Sequence, residues 1–309
     1  MSPFKKRLGS FLREHPDLEL LWDEPLSRHT TFRIGGPIWC LARPRSENAL
    51  AALMDEVRQL DVPMFVFGGG SNLLPPDHGI DAVALQLQLC CGDLQRTQKD
   101  EGAVCLHAGA GIGLQELIRY CLRNGLAGLG ALAGIPGTLG GALVMNAGTT
   151  AGSISDTLTY IDLAVPGEGW RRIARKEFSP AYRSMGLPEE CVVLGGGFRL
   201  KMGDGEAQRV LVKEILELRK KNQPLEFPSA GSVFKNPPGG SAWELIERAG
   251  LKGFRIGDAE VSKKHSNWII NRGSATSRDV LEVIEKIEKE VFGTFGVRLE
   301  REIRILDQF

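Results

Sequence analysis

Apolar and polar positions along the chain follow two periods in turn, and glycine marks most places where one gives way to the other. Residues 5–21 carry an amphipathic pattern that predicts a short helix ahead of the body of the protein. Residues 37–43 are strand-like. Ser46 then stands where an N-cap is needed for a helix with Leu50, Leu53, Met54, Val57 and Leu60 on one face. The apolar run 63–67 reads as a buried strand and ends abruptly in Gly68-Gly69-Gly70-Ser71-Asn72-Leu73. Helical spacing returns at Leu114, Leu117, Ile118, Cys121 and Leu122, and Asn124-Gly125 closes it with residues that tolerate left-handed backbone. Residues 157–200 alternate strand-like runs with turns, and a helix over 206–221 stops ahead of Pro224. Beyond it come a Gly-Ser loop at 230–236, a helix at 241–249 and a strand at 266–271. A helix over 277–292 has Val280, Ile284, Ile287 and Val291 inward, and a last strand covers 299–306. The pattern predicts an α+β protein with its main boundary near residue 208.

Composition sharpens this in one respect. The chain has 309 residues with 38 Lys+Arg against 38 Asp+Glu, which removes the usual electrostatic reason to expect nucleic acid or an anionic membrane as partner. The 38 glycines are the unusual number, and they cluster. Residues 125–152, GLAGLGALAGIPGTLGGALVMNAGTTAG, stay apolar rather than Ser/Gln-rich, which argues against a flexible linker. The six cysteines, Cys40, Cys90, Cys91, Cys105, Cys121 and Cys191, include no CxxC pair and read as reduced thiols. The N-terminal residues lack a signal-peptide apolar core, and no stretch suits a membrane span, so the expectation is a cytoplasmic protein without a membrane partner.

Several chemistries are excluded by absent motifs. There is no GxxxxGK[ST], no HExxH and no GxSxG, and His15, His29, His78, His107 and His265 are scattered without metal spacing, so no metal is expected. A GxGxxA run at 128–133 leads into Gly134-Ile135-Pro136-Gly137 rather than a helix, which does not suit a dinucleotide crossover of the Rossmann kind. Two glycine loops remain, 68–72 and 134–138. Glycines let the main chain approach a pyrophosphate and turn its amides toward it, while Ser71, Asn72 and Thr138 add donors. Tight packing turns are the alternative for either loop alone. Three further polar residues sit in apolar surroundings: Arg183 after Tyr182, Ser232 among small neighbours, and Glu302 on a strand face with Glu300 and Arg304. Taken singly they also read as a surface ion pair, a turn hydroxyl and a solvated strand face.

Together the motifs carry a resemblance. Thr31-Phe32-Arg33-Ile34-Gly35-Gly36, GGGSNLL at 68–74, AGIPGTLGGALVMNAG at 133–148, Tyr182-Arg183, AGSVFKNP at 230–237, AGLKG at 249–253, VSKKHSNWIIN at 261–271 and LEREIRI at 299–305 occur in this order. The set resembles the UDP-N-acetylenolpyruvoylglucosamine reductase family over about residues 28–306. Within the family the chain looks like the form lacking a tyrosine-bearing loop insertion.

The resemblance implies a two-lobed FAD-binding domain of the vanillyl-alcohol-oxidase type at 22–208, with lobes at about 22–90 and 91–208. An N-terminal helical segment (1–21) precedes it and a substrate-binding domain (209–309) follows. It implies non-covalent FAD, NADPH as hydride donor, and reduction of UDP-N-acetylenolpyruvoylglucosamine to UDP-N-acetylmuramate for peptidoglycan synthesis, by a monomer or weak oligomer. Position by position, Arg183 and Glu302 match active-site residues and Ser232 the proton donor. The flavin pocket falls on Gly68–Leu73 together with Gly134, Ile135, Pro136, Gly137, Thr138, Gly141, Ala142, Asn146 and Gly148. Substrate contacts fall on Tyr182, Arg219, Asn236 and His265. Ser184 directly after Arg183, and Asp258 between Gly257 and Ala259, depart from the family pattern. Other readings are a different FAD-linked oxidoreductase of the same superfamily, or a non-catalytic protein that binds a flavin or a nucleotide sugar.

Overall fold

The structure, a computed structural model, describes residues 3–100, 103–165, 167–188, 190–203 and 205–306. Residues 1–2 of the expected N-terminal segment and 307–309 of the expected substrate domain lie outside the described residues. The chain runs α1 (Pro3–Glu14), β1 (Leu18–Pro25), β2 (Pro37–Pro44), α2 (Glu47–Gln59), β3 (Met64–Val66), β4 (Leu73–Leu74) and β5 (Ile80–Leu85). It continues through β6 (Leu94–Asp100), β7 (Ala103–Gly109), α3 (Leu114–Arg123), β8 (Leu126–Ala127), α4 (Leu139–Val144), β9 (Gly148–Thr149) and β10 (Gly152–Ser153). Then follow β11 (Leu158–Val165), β12 (Gly169–Ala174), β13 (Val192–Met202), α5 (Gly205–Asn222) and β14 (Ser229–Ser232). The last elements are α6 (Ala242–Arg248), β15 (Arg255–Ile256), β16 (Ala259–Val261), β17 (Trp268–Asn271), α7 (Ser277–Phe295) and β18 (Arg304–Ile305). No helix among the described residues is long and apolar enough to cross a membrane.

Three expectations need correction. The amphipathic pattern of 5–21 supports a helix only as far as Glu14; Pro16 has no amide hydrogen and biases His15 away from helical backbone, so the chain resumes as β1. The Gly-Ser segment at 230–236 is not all loop, because β14 pairs with β17, Ser232 opposite Trp268. The strand expected over 299–306 is regular only at Arg304–Ile305. There the amides of Glu302 and Ile303 both point at the Val233 carbonyl, at 2.8 and 3.3 Å. Two donors converging on one acceptor break the ladder, and the chain leaves Phe234 to pair with β4 instead.

Two compact units result, each discontinuous in sequence: Met1–Trp22, Cys40–Gly69 and Ala82–Glu217 in the first; Asp23–Trp39, Gly70–Asp81 and Leu218–Phe309 in the second. The first unit holds a four-stranded sheet of order β1-β2-β5-β3 and a larger antiparallel sheet of order β12-β11-β13-β7-β6, with β8 also on β13. Its α2 starts as the sequence predicts: the Ser46 hydroxyl accepts the Ala49 amide at 3.2 Å, and Ala49, Leu50, Leu53 and Val57 are buried. The second unit is built on the sheet β14-β17-β16-β15. Its core gathers Phe32, Leu74, Phe234, Ile246, Val280, Ile284, Ile287 and Val291. A reciprocal cap starts α7, with Thr276 Oγ1 accepting the Asp279 amide (3.1 Å) and Asp279 Oδ2 the Thr276 amide (2.9 Å). α7 runs to Phe295, three residues past the expected terminus, and Gly296 ends it at φ 69°.

Candidate functional site

Gly68 and Gly69, at the start of the first glycine loop, meet the 134–138 loop within the first unit. A Cβ on Gly69 would lie 2.8 Å from Gly137 Cα, so glycine lets these two backbones touch, and one on Gly68 would lie 2.0 Å from the Thr138 hydroxyl oxygen. The 134–138 loop is held in shape from α3. Gln115 Nε2 donates to the carbonyls of Ile135 (2.7 Å) and Leu132 (3.3 Å), and Gln115 Oε1 accepts the Gly134 amide at 2.9 Å. The Ile135 amide goes to the Leu132 carbonyl, so these two amides point into the protein. Gln86 and Gln88 each aim a carboxamide at the Gly68 carbonyl, at 3.5 Å. Sequence reasoning missed Gln115; a lone glutamine on a helix carries no pattern that would announce it.

Arg183 stands on a tight turn in the same unit. Ala181 and Ser184 exchange backbone hydrogen bonds of 2.8 and 3.2 Å around Tyr182-Arg183, and Arg183 has φ 59°, a conformation costly for a residue with a side chain. The end of the glycine-rich segment secures this turn. Asn146, itself at φ 41°, donates from Nδ2 to the Ala181 carbonyl (2.9 Å), and Arg183 Nη1 donates to the Gly148 carbonyl (3.2 Å). The guanidinium carbon also lies 5.0 Å from the Tyr182 ring centroid. Two motifs far apart in sequence thus become one structure, in which Asn146 and Gly148 orient the arginine. Ser184, a departure from the family pattern, accepts the Gly186 amide at 3.2 Å and so completes the turn.

Ser232 and Glu302 come together in the second unit through backbone. The Val233 amide donates to the Asn267 carbonyl (2.9 Å), the Val233 carbonyl accepts from Glu302 and Ile303, and the Lys235 amide donates to the Glu300 carbonyl (2.8 Å). The strand bearing Ser232 therefore lies between Asn267 and the segment bearing Glu302. Asn267, 4% exposed, clamps it: its Oδ1 accepts the Phe234 amide (3.0 Å) and its Nδ2 donates to the Phe234 carbonyl (2.8 Å). Asn72 acts from the other side, its Nδ2 donating to the Glu302 carbonyl (3.0 Å) and its carbonyl accepting the Arg304 amide (3.0 Å). Beside Ser232, Gly231 has φ 78° and nothing within 4 Å of the position a Cβ would take, which leaves open space at Gly231. Sequence reasoning missed Asn267, though Ser266-Asn267 lies inside a quoted motif.

The remaining candidates occupy separate places in the second unit. His265 stacks obliquely between Trp243 and Trp268, with both ring centroids 6.3 Å away, and burial holds its pKa below the ordinary imidazole value. Burial also lowers the Arg219 guanidinium from its ordinary value, though arginine stays charged. Asn236 Oδ1 accepts the Ala242 amide at 3.0 Å, at the start of α6. Asp258, the second departure, ties a loop: its Oδ2 accepts the Ser274 amide (2.8 Å), its carbonyl accepts the Arg272 amide (2.8 Å), and its Oδ1 pairs with Arg255.

The residues fit a flavin dinucleotide on two observations. Asn146 Oδ1 is a buried acceptor without a hydrogen-bond partner among the described residues, and Gly69 and Gly137 bring the main chains of the two loops close together, with the small Thr138 side chain against Gly68. Among the described residues no group of His, Cys, Asp and Glu is arranged to hold a metal ion.

Comparison with known proteins agrees with this chemistry. A family model described as an FAD binding domain matches residues 39–172, and one described as the C-terminal domain of UDP-N-acetylenolpyruvoylglucosamine reductase matches 223–306. The UDP-N-acetylenolpyruvoylglucosamine reductase of Syntrophobacter fumaroxidans is 53% identical over 297 residues, 96% of this chain and 86% of that protein. The enzyme of that name from Heliobacterium modesticaldum is 44% identical over 285 residues, 92% of this chain and 89% of its own. The crystal structure of UDP-N-acetylenolpyruvylglucosamine reductase from Thermus caldophilus matches with a TM-score of 0.76 and 34% identity, over 93% of this chain and 98% of that one. Identity at this level across nearly the whole length places the chain in the UDP-N-acetylenolpyruvoylglucosamine reductase family.

Proposed function

We propose that this protein reduces the enolpyruvyl double bond of UDP-N-acetylenolpyruvoylglucosamine to give UDP-N-acetylmuramate, using non-covalently held FAD and NADPH as reductant. The observation that carries the reading is the convergence of the Ser232 and Glu302 segments on the Val233 carbonyl, beside the open space at Gly231. FAD, when bound, supplies hydride-transfer chemistry, which no side chain can provide. Gly68, Gly69, Gly70, Ser71, Asn72 and Leu73, together with Gly134, Ile135, Pro136, Gly137, Thr138, Gly141, Ala142, Asn146 and Gly148, form its pocket. Residues 22–208 carry the flavin on this reading, and 209–309 carry the sugar nucleotide.

Once hydride has added to the methylene carbon of the substrate, negative charge develops on the neighbouring carbon and its carboxylate. The Arg183 guanidinium, held in place by Gly148 and the strained turn, stabilises that charge. A well-placed donor in a site closed to water contributes about 3 kcal/mol of this kind. Glu302 shares the role, its segment fixed by Asn72 and Val233. The Ser232 hydroxyl then gives its proton to the carbon and regains one from solvent. So basic an acceptor needs no activated acid. Tyr182, Arg219, Asn236 and His265 contact the sugar nucleotide. The formal charge of zero suits a small-molecule enzyme of the cytoplasm, monomeric or weakly associated, that needs neither nucleic acid nor a membrane.

Replacing Ser232 with Ala separates the two half-reactions. Reduction of the bound flavin by NADPH stays near the wild-type rate, and its reoxidation by the enolpyruvyl substrate falls by roughly 10²–10⁴-fold, the usual contribution of a positioned acid. Anaerobic stopped-flow absorbance reads both steps. Equal damage to the two would refute the assignment of Ser232.

A further inference from the structure

We propose that Cys90 and Cys91 form a dithiol site that captures a trivalent arsenical of the type R–As=O. The two are consecutive on the turn after β5, and their sulfur atoms stand 3.4 Å apart. The other cysteines lie on separate stretches of chain: Cys40 in β2, Cys105 in β7, Cys121 in α3 and Cys191 just before β13.

The turn is held on both sides, so the sulfurs are preorganised. The Cys91 amide donates to the Leu87 carbonyl (2.9 Å), and the Cys91 carbonyl accepts the Gly111 amide (2.7 Å). A Cβ at Gly109 would lie 2.3 Å from the Cys91 carbonyl oxygen, and one at Gly111 would lie 2.3 Å from that of Leu87. The main chain of 109–111 is thus packed directly on the turn. A direct S–S bond suits this geometry poorly. It needs sulfurs about 2.05 Å apart on Cα atoms usually more than about 4.4 Å apart, whereas consecutive Cα atoms are about 3.8 Å apart. A single soft atom bonded to both sulfurs asks for no such closure, and soft thiolates select soft acceptors.

The two thiols are also differentiated. Cys90 is partly exposed and Cys91 is buried. The two sulfurs share a hydrogen bond that either thiol can donate; it draws the Cys90 thiol below its ordinary pKa, while that bond and burial push Cys91 up. The Cys90 thiolate attacks arsenic, forming the first S–As bond, and the As=O oxygen takes up a proton to become hydroxyl. The Cys91 thiol then forms the second S–As bond as the hydroxyl departs with its proton as water. Two S–H bonds and the arsenic–oxygen bond break, two S–As bonds and one water form, and arsenic remains trivalent. The second step is intramolecular, which makes the cyclic product resistant to competing monothiols.

Phenylarsine oxide is the probe. One equivalent added to the native flavin-loaded protein is expected to give one phenylarsenic per chain by intact mass, mapped to the peptide containing Cys90 and Cys91. The adduct is expected to survive excess 2-mercaptoethanol and to be removed by 2,3-dimercaptopropanol. Cys90→Ser and Cys91→Ser each lower the apparent affinity at least tenfold, while Cys105→Ser leaves it unchanged. If Cys91→Ser does not fold, Cys90→Ala, at the partly exposed position, gives the same reading. An adduct that maps to another cysteine, or that 2-mercaptoethanol strips from the wild type as readily as from Cys90→Ser, overturns the proposal.

Discussion

Asn267→Ala tests the clamp that holds the Ser232 strand. The substitution removes an acceptor from the Phe234 amide and a donor from the Phe234 carbonyl, and leaves both groups inside the core, where Phe234 is 1% exposed. Each buried backbone group left without a partner costs about 1–3 kcal/mol, so the pair should cost roughly 2–6 kcal/mol. Water entering the space left by the carboxamide would hold the cost at the lower end of that range. Against a typical total of about 5–15 kcal/mol, this is a large loss. Urea unfolding followed by tryptophan fluorescence measures it, since Trp268 is the next residue. Hydrogen exchange at the Phe234 amide reports the same bond directly and should lose protection in proportion. Asn267→Asp keeps an acceptor for the Phe234 amide but, when ionised, offers no donor to its carbonyl, and so should fall between wild type and alanine. A destabilisation below about 1 kcal/mol, with Phe234 exchange unchanged, would refute the clamp.

Other expectations follow from single contacts. Gly69→Ala places a methyl 2.8 Å from Gly137 Cα; at about 1–3 kcal/mol for overpacking, the affinity for FAD, read by flavin fluorescence, should fall roughly 5- to 150-fold with little change in far-ultraviolet circular dichroism. Asn72→Ala removes the donor to the Glu302 carbonyl at a cost of about 1 kcal/mol, and in stopped flow it should slow reoxidation by the enolpyruvyl substrate more than reduction by NADPH. His265, with its pKa lowered by burial, contributes nothing above the unfolded imidazole value of about 6.5, where both states are neutral. As pH falls below that value the unfolded chain takes up a proton that the folded one resists, and stability drops. His265→Gln should therefore flatten the acid side of a Tm-versus-pH curve measured between pH 5 and pH 8, roughly the window in which imidazole titrates.

The helices and many of the strands were legible because burial of one face imposes a period that survives in the sequence. α2 shows this well, with its cap at Ser46 and its buried Leu50, Leu53 and Val57. The glycine loops were legible for a related reason: glycine is the residue that permits backbone to approach backbone, as Gly69 does to Gly137. Where Glu302 sits was legible; how it is held was not. A strand over 299–306 is what alternation predicts, yet the double acceptance at Val233 interrupts it, and an interrupted ladder leaves no trace in polarity.

Read alone, the order of apolar runs and glycine clusters pointed to the α+β class and to two glycine loops able to approach a phosphorylated ligand, because each depends on local spacing or on a residue type with few substitutes; the family came from the resemblance carried by the ordered motifs. The tertiary structure decided which separated segments share a unit: 23–39 and 70–81 cluster with the C-terminal part of the chain. It also decided that Asn146 and Gly148 hold Arg183, that Asn267 and Asn72 grip the segments of Ser232 and Glu302, and that two adjacent thiols face each other. The reason is physical. A hydrogen bond between a carboxamide and a distant backbone group constrains geometry without imposing any period on the chain.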